Sequence, residues 1–220
     1  MHYPYLLYSR KVQHKPLFPG LKGEPYVADL SGASPLLQGL DVRDQKRFQA
    51  VLEEKMGKEC HWGFSGYLER RQSLLADCPQ MVAEKRFFHL GLDIIVPLAT
   101  PLHAPLDAVV AESGYESGEG NYGGYVVLKH ESPWFETFYS LYGHLCKERL
   151  PSAGQSFSAG EAFARIGDFH ENGNWFHHTH LQVITRKGLD QGYISKGYCA
   201  GSDLARITEL CPQPISLFKR

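Results

Sequence analysis

His178-Thr-His-Leu-Gln-Val-Ile-Thr185 is the stretch on which the reading of this chain turns. Its Thr, Val and Ile residues favour a pleated strand. Side chains alternate across a strand, so His178 and His180 emerge on the same face. Two imidazoles on one face can reach one cleft. Upstream, His89-Leu-Gly-Leu-Asp93 offers a further imidazole and a carboxylate. The set is that of a zinc site with three protein ligands and an open fourth position, with one histidine to spare.

The sequence on either side of this strand shares its texture. From Phe87 onward, short runs of β-branched and aromatic residues alternate with turn chemistry. Strands are predicted over 92–96, 108–112, 124–130, 137–141, 162–166 and 181–185. They are separated by Glu116-Ser-Gly-Glu-Gly-Asn-Tyr-Gly-Gly124, Pro151-Ser-Ala-Gly154 and Glu171-Asn-Gly-Asn174. Close spacing of short strands argues for a mainly β fold with an antiparallel sandwich or barrel-like core.

Residues 1–85 read as an arm and helical extension. The first forty are rich in Pro and Gly and irregular. Asp41-Val-Arg-Asp-Gln-Lys-Arg-Phe-Gln-Ala-Val-Leu-Glu-Glu-Lys-Met56 is the clearest helix, with Val42, Phe48, Val51, Leu52 and Met56 near one face. Asp41 or Asp44 can cap its start and Gly57 its end. Residues 86–186 form the expected core. Residues 187–220 form a tail packed on it, with a short helix over 203–210.

With 220 residues, 43% of them hydrophobic, the chain can bury one sizeable core. A net charge of −1 and the lack of a long basic run argue against nucleic acid or an anionic membrane as partner. No stretch approaches the roughly 18 consecutive apolar residues of a membrane span. Met1-His-Tyr-Pro-Tyr-Leu-Leu-Tyr-Ser-Arg10 lacks the pattern of a signal peptide, so the expectation is a cytoplasmic protein. Cys60, Cys78, Cys146, Cys199 and Cys211 are odd in number and contain no CxxC pair, which fits free thiols better than a disulfide framework.

The order His89-Leu-Gly-Leu-Asp93, Tyr142-Gly-His144-Leu145, His178-Thr-His180 resembles the M23 peptidases, the lysostaphin-like zinc metallopeptidases that hydrolyse bacterial cell-wall peptides. The connecting text is similar too. It includes Pro97-Leu-Ala-Thr-Pro-Leu-His-Ala-Pro-Leu-Asp-Ala-Val-Val110, Tyr122-Gly-Gly-Tyr-Val-Val-Leu-Lys-His130, Gly154-Gln155, Gly160-Glu161 and Ile166-Gly167. The resemblance spans roughly residues 86–186, about half the chain. It implies a lysostaphin-type β core, Zn2+ held by His89, Asp93 and His180, and catalytic roles for His144 and His178. It also implies a bacterial origin and a peptide or peptidoglycan-fragment substrate. The chain departs from the family at His177 and Thr179, at Ala99 in the Thr-Pro turn, and at Trp175-Phe176 before the last strand, where two aromatic rings stand to reshape the substrate groove.

In the implied site, zinc polarises the scissile carbonyl and acidifies water, while one imidazole accepts a proton and the other, protonated, stabilises the oxyanion. Two neutral imidazoles and one carboxylate leave the metal centre a net charge of +1. Gly91 gives the chain room to bend between the first two ligands. Asp93 precedes the apolar Ile94-Ile95-Val96, where an unpaired carboxylate is costly and a metal supplies the partner.

Other polar and aromatic residues have plainer readings. His103, His130 and His170 read as turn or surface residues, and His177 as pointing away from the metal face. Trp134, Phe135, Phe138, Tyr139 and Tyr142 read as core, and the segment 63–71, with Tyr67 and Arg70, as packing. Tyr122 and Tyr125, beside a Gly-rich loop, are candidates to line the groove. Two rival functions share the site residues: a non-catalytic M23-like binding or regulatory module, and a cytoplasmic metal-dependent amide hydrolase acting on a non-wall substrate. Oligomeric state is not encoded in these features.

Overall fold

The computed structural model describes residues 1–218. Its main feature is an open eight-stranded sheet. The strands in chain order are β1 Tyr26–Val27, β2 Gly63–Ser65, β3 Arg86–His89, β4 Leu92–Ile95, β5 Pro101–His103, β6 Ala108–Glu116, β7 Gly123–Ser132, β8 Phe135–Leu145, β9 Ser156–Phe157, β10 Ala162–Arg165, β11 His178–Thr185 and β12 Tyr198–Ala200. The main sheet runs β1-β2-β4-β11-β8-β7-β6-β9, while β5 pairs with β10 and β3 with β12. The fold is mainly β, as the sequence indicates, and the sheet does not close into a barrel. All pairings within it are antiparallel except β1 with β2, so the sheet is mixed.

Alternation along the central strands divides apolar residues between two faces. Val126 and Leu128 of β7, Tyr142 of β8, and Leu181 and Val183 of β11 join one cluster, which also takes in Leu6, Phe18 and Trp62 from the N-terminal region. Val127, Leu141 and Ile184 face the other way, against Ile207 and Leu210 of a C-terminal helix, Leu204–Leu210. Residues 219 and 220 of the expected tail lie outside the described residues.

The sequence-predicted helix is present but shorter: α1 spans Gln45–Met56. Asp44, not Asp41, is its cap, accepting a hydrogen bond from the Arg47 backbone N–H at 3.0 Å, and Gly57 ends it. Phe48 and Leu52 are buried, each contributing about 1.5–3 kcal/mol by leaving water. Phe48 packs on Phe176, ring centroids 5.0 Å apart, and Gln49 Oε1 accepts the His177 backbone N–H at 2.8 Å. The helix thereby fixes the chain as it enters β11.

Four plain readings need correction. His130 is fully buried, hydrogen-bonded to Ser140 Oγ at 2.7 Å and to the Asp107 carbonyl at 3.2 Å. It follows Val126 and Leu128 on the inward face of β7. His103 lies half-buried in β5 rather than on the surface. Trp134 is exposed, with the Lys11 amine 4.1 Å above its ring, while Phe138, Tyr139 and Tyr142 are buried. The segment expected only to pack supplies β2, which pairs with β4 through Ser65↔Asp93.

Candidate metal centre

The register of the sheet builds the site. β11 pairs with β4 so that His180 lies opposite Asp93. β3 ends on His89, and a short turn at Leu90-Gly91 returns the chain into β4. Gly91 matters because a Cβ there would sit 2.4 Å from His180 Cε1. It makes room for the imidazole, a different reason from the expected bend toward a metal.

His89, Asp93 and His180 are all buried. His89 Nε2 lies 2.9 Å from His180 Nδ1 and 3.1 Å from Asp93 Oδ1, and His180 Nδ1 lies 3.3 Å from Asp93 Oδ1. The outward nitrogens set the tautomers. His89 Nδ1 donates to the Gly66 carbonyl at 2.9 Å, which leaves a lone pair on Nε2. His180 Nε2 donates to Gln182 Oε1 at 3.0 Å, and Gln182 is oriented by its own donation to the Tyr193 carbonyl. Three acceptor atoms therefore face one another with no proton of their own. Burial, aided by the Arg71 charge, lowers the His89 pKa to about 4, so a proton does not fill the gap at neutral pH. A cation held by His89, Asp93 and His180 would resolve this arrangement. Tetrahedral ligands at zinc distances stand about 3.3 Å apart, close to the separations here. The residues fit the group.

His144 and His178 stand over the triangle. Their rings are 4.2 Å apart. His178 Nδ1 donates to the Phe176 carbonyl at 2.8 Å and His144 Nδ1 to the Asn172 carbonyl at 2.7 Å, so both Nε2 atoms carry lone pairs. Burial lowers the His178 pKa to about 4 and holds His144 well below its ordinary value. His178 Nε2 lies 3.7 Å from Asp93 Oδ1. His144 has φ of 64°, in the left-handed region that non-glycine residues rarely adopt. A β-bulge between β7 and β8, near Gly124 and Val126, accompanies it, and bulges of this kind re-aim side chains next to sites. The structure thus brings together all five sequence-predicted site residues.

Arg71 is one of the residues the sequence reading missed. Its guanidinium is buried; Nη1 donates to Asp93 Oδ2 at 2.6 Å, Nη2 to Ser65 Oγ at 2.6 Å and Nε to Glu69 Oε2 at 2.7 Å. Ser65 Oγ also donates to Asp93 Oδ2, at 3.1 Å. The carboxylate is thus divided: Oδ2 is held by Arg71 and Ser65, and Oδ1 faces the histidines. Burial alone would raise the Asp93 pKa, but the facing His89 imidazole and the Arg71 guanidinium outweigh it and hold the carboxyl well below its usual range. Gln182 was also missed, although the same alternation that pairs His178 with His180 places it on their face. Asn172 was missed as well: its amide binds the Trp175 and Phe176 carbonyls while its own carbonyl anchors His144.

The site opens into a cavity of about 520 Å³. Trp175, Phe176 and Tyr122 line it. Phe176 stacks on His178 with centroids 4.2 Å apart, and Tyr122 lies 5.5 Å from the His180 ring. Tyr125 instead bonds Glu112 at 2.6 Å and is not among the lining residues. His177 turns away to Asp168, 3.1 Å distant, as its place in the alternation requires.

Residues 87–191 match the model of peptidase family M23. The matched residues include His89, His144, His178, His180 and Asp93. Arg71 and Ser65 precede the matched region. Two curated relatives overlap it: the peptidoglycan DD-endopeptidase ShyC of Vibrio cholerae is 33% identical over 79 residues, and an uncharacterized metalloprotease of Haemophilus influenzae is 36% identical over 80 residues. Each alignment covers 36% of this chain, and the chain spans only 16% and 15% of the relatives' lengths. Among solved structures, a zinc-containing peptidase from Vibrio cholerae is 27% identical, with a TM-score of 0.38, covering 46% of this chain and 28% of that one. The catalytic domain of lysostaphin from Staphylococcus simulans is 17% identical, with a TM-score of 0.40, covering 56% and 80%.

Proposed function

We propose that this chain is a zinc-dependent metallopeptidase that hydrolyses a peptide bond in peptidoglycan-like or glycine-containing peptides. The observation that carries the reading is the convergence of His89 Nε2, Asp93 Oδ1 and His180 Nδ1 under two further neutral imidazoles. His89, Asp93 and His180 would hold the metal. Bound there, zinc would polarise a scissile carbonyl and lower the pKa of water from 15.7 toward about 7. The peptidoglycan endopeptidase among the relatives supports the substrate class.

The remaining steps fall to the chain's own residues. Nε2 of His144 or His178 accepts the proton of the attacking water as its oxygen joins the carbonyl carbon. The imidazolium so formed donates to the developing negative charge on the carbonyl oxygen. As the C–N bond breaks, the same proton passes to the leaving amine. Fixed Nδ1 donations to Phe176 and Asn172 hold both rings in the tautomer this cycle requires.

The test is metal analysis paired with turnover on muropeptides and oligoglycines. Zinc at about one per chain, lost in His180→Ala, is expected. His144→Ala should retain zinc and lose turnover by roughly 10²–10⁴-fold. No turnover by the zinc-loaded unsubstituted protein would favour a binding module and overturn the peptidase reading, whereas unchanged turnover in His144→Ala would remove His144 from the catalytic step.

A further inference from the structure

One wall of the cavity contains a buried cation that the catalytic reading does not use. Arg86, at the start of β3, lines the cavity, and its side chain is only 6% exposed. Its Nε and Nη1 atoms are buried without a hydrogen-bond partner. Glu84 Oε2, on a side chain that is 50% exposed, ion-pairs with Nε at 2.8 Å and leaves Nη1 without a hydrogen-bond partner. Arg71, the other buried arginine of the cavity, is fully committed to Asp93, Ser65 and Glu69. Leaving a guanidinium N–H buried without a hydrogen-bond partner costs free energy that a native fold seldom concedes.

A second orphan faces the same space. Tyr122 Oη is buried, lines the cavity and has no hydrogen-bond partner; its ring lies 5.5 Å from that of His180. Glu116, the acidic side chain on this wall, is engaged with the Tyr122 backbone. A guanidinium fork and a phenol hydroxyl together are a receptor for a carboxylate, which accepts from both.

We propose that Arg86 and Tyr122 form a carboxylate-binding subsite, so the substrate is an acidic peptide rather than a neutral one. The proposal rests on the peptidase reading for its place in the reaction, but not for its test. Arg86 lies three residues before His89 on β3, or about 10 Å along the strand. An extended substrate covers that distance in two to three residues. The carboxylate therefore lies away from the scissile bond, either as a chain terminus or as an acidic side chain.

Binding is measured on His144→Ala protein as isolated, so that hydrolysis does not consume the probe. The probes are two pairs: N-acetyl-pentaglycine and its C-terminal amide, and an amidated N-acetyl glycine peptide carrying one Glu or, in its place, Gln. In at least one pair the acid should bind roughly ten- to hundredfold more tightly. Which pair discriminates tells a terminus from a side chain. Arg86→Gln should abolish the difference, and Tyr122→Phe should reduce it. Equal binding of acid and neutral forms, no binding of either, or discrimination that survives Arg86→Gln overturns the proposal. If Arg86→Gln does not fold, Tyr122→Phe decides, and unchanged discrimination there refutes the subsite. Failure of the peptidase reading shows separately, as absent zinc or absent turnover in the unsubstituted protein.

Discussion

Replacing Arg71 with methionine separates the electrostatic role of this residue from simple packing. Methionine fills much of the volume, but Asp93 Oδ2 loses its 2.6 Å partner and keeps only the Ser65 hydroxyl at 3.1 Å. Glu69 loses its 2.7 Å partner as well. Removing one member of a buried ion pair costs about 3–5 kcal/mol, because the other charge is left uncompensated. Metal-free Arg71→Met should therefore lose about that much unfolding free energy, measured by denaturant titration in the presence of a chelator at unchanged slope. The same change frees the carboxylate to rotate, so zinc affinity should fall by roughly 10–100-fold. A double-mutant cycle sharpens the test. Asp93→Asn removes the stranded charge, so Arg71→Met/Asp93→Asn should cost clearly less than the sum of the single changes. A single variant within about 0.5 kcal/mol of the parent, or strict additivity in the cycle, would refute the claim that Arg71 compensates and orients Asp93.

Three further outcomes follow from the geometry. Gly91→Ala places a Cβ 2.4 Å from His180 Cε1, so the imidazole must move; zinc content measured after dialysis should collapse while the far-UV spectrum is retained. Gln182→Leu removes the acceptor of His180 Nε2–H, and a competition titration with a chelator should show zinc affinity reduced by roughly 10–100-fold. His130 gives a pH dependence away from the metal centre. Burial lowers its pKa from 6.5 to about 4, so the folded state binds fewer protons than the unfolded state in that window. Its contribution is present above pH 6.5 and is lost as pH falls toward 4, amounting to about 3 kcal/mol. His130→Leu should flatten the stability-versus-pH curve between those limits by up to one proton's slope; an unchanged slope would show that His130 titrates alike in both states.

What could be read in advance was set by the range of the interactions. Alternation on a strand is local, so His178-Thr-His180 declared its shared face without a fold to place it in. The same rule reached further than it was carried. It turns Gln182 toward His180, and it turns His130 inward behind Val126 and Leu128; both polar residues are buried because a fixed partner satisfies them. Arg71 is a different case. It lies 22 residues from Asp93 in sequence, and nothing periodic links them. Their contact exists because β2 pairs with β4, bringing Ser65 opposite Asp93. A two-ended carboxylate, with one oxygen held by Arg71 and the other turned to the histidines, arises only once that edge of the sheet forms. His144 lies between these cases. Its motif is local, but its φ of 64° is not fixed by its residue type: histidine is among the non-glycine residues enriched in the left-handed region, yet few histidines adopt it. The strained residue is retained where the Tyr122 carbonyl takes its N–H at 2.7 Å, the Gly167 N–H bonds its carbonyl at 3.0 Å and the Asn172 carbonyl fixes its ring. Surroundings that over-determine a sparsely populated backbone at one imidazole, within ring-contact distance of a metal-ready triangle, tie that strain to the site's chemistry rather than to the stability of β8.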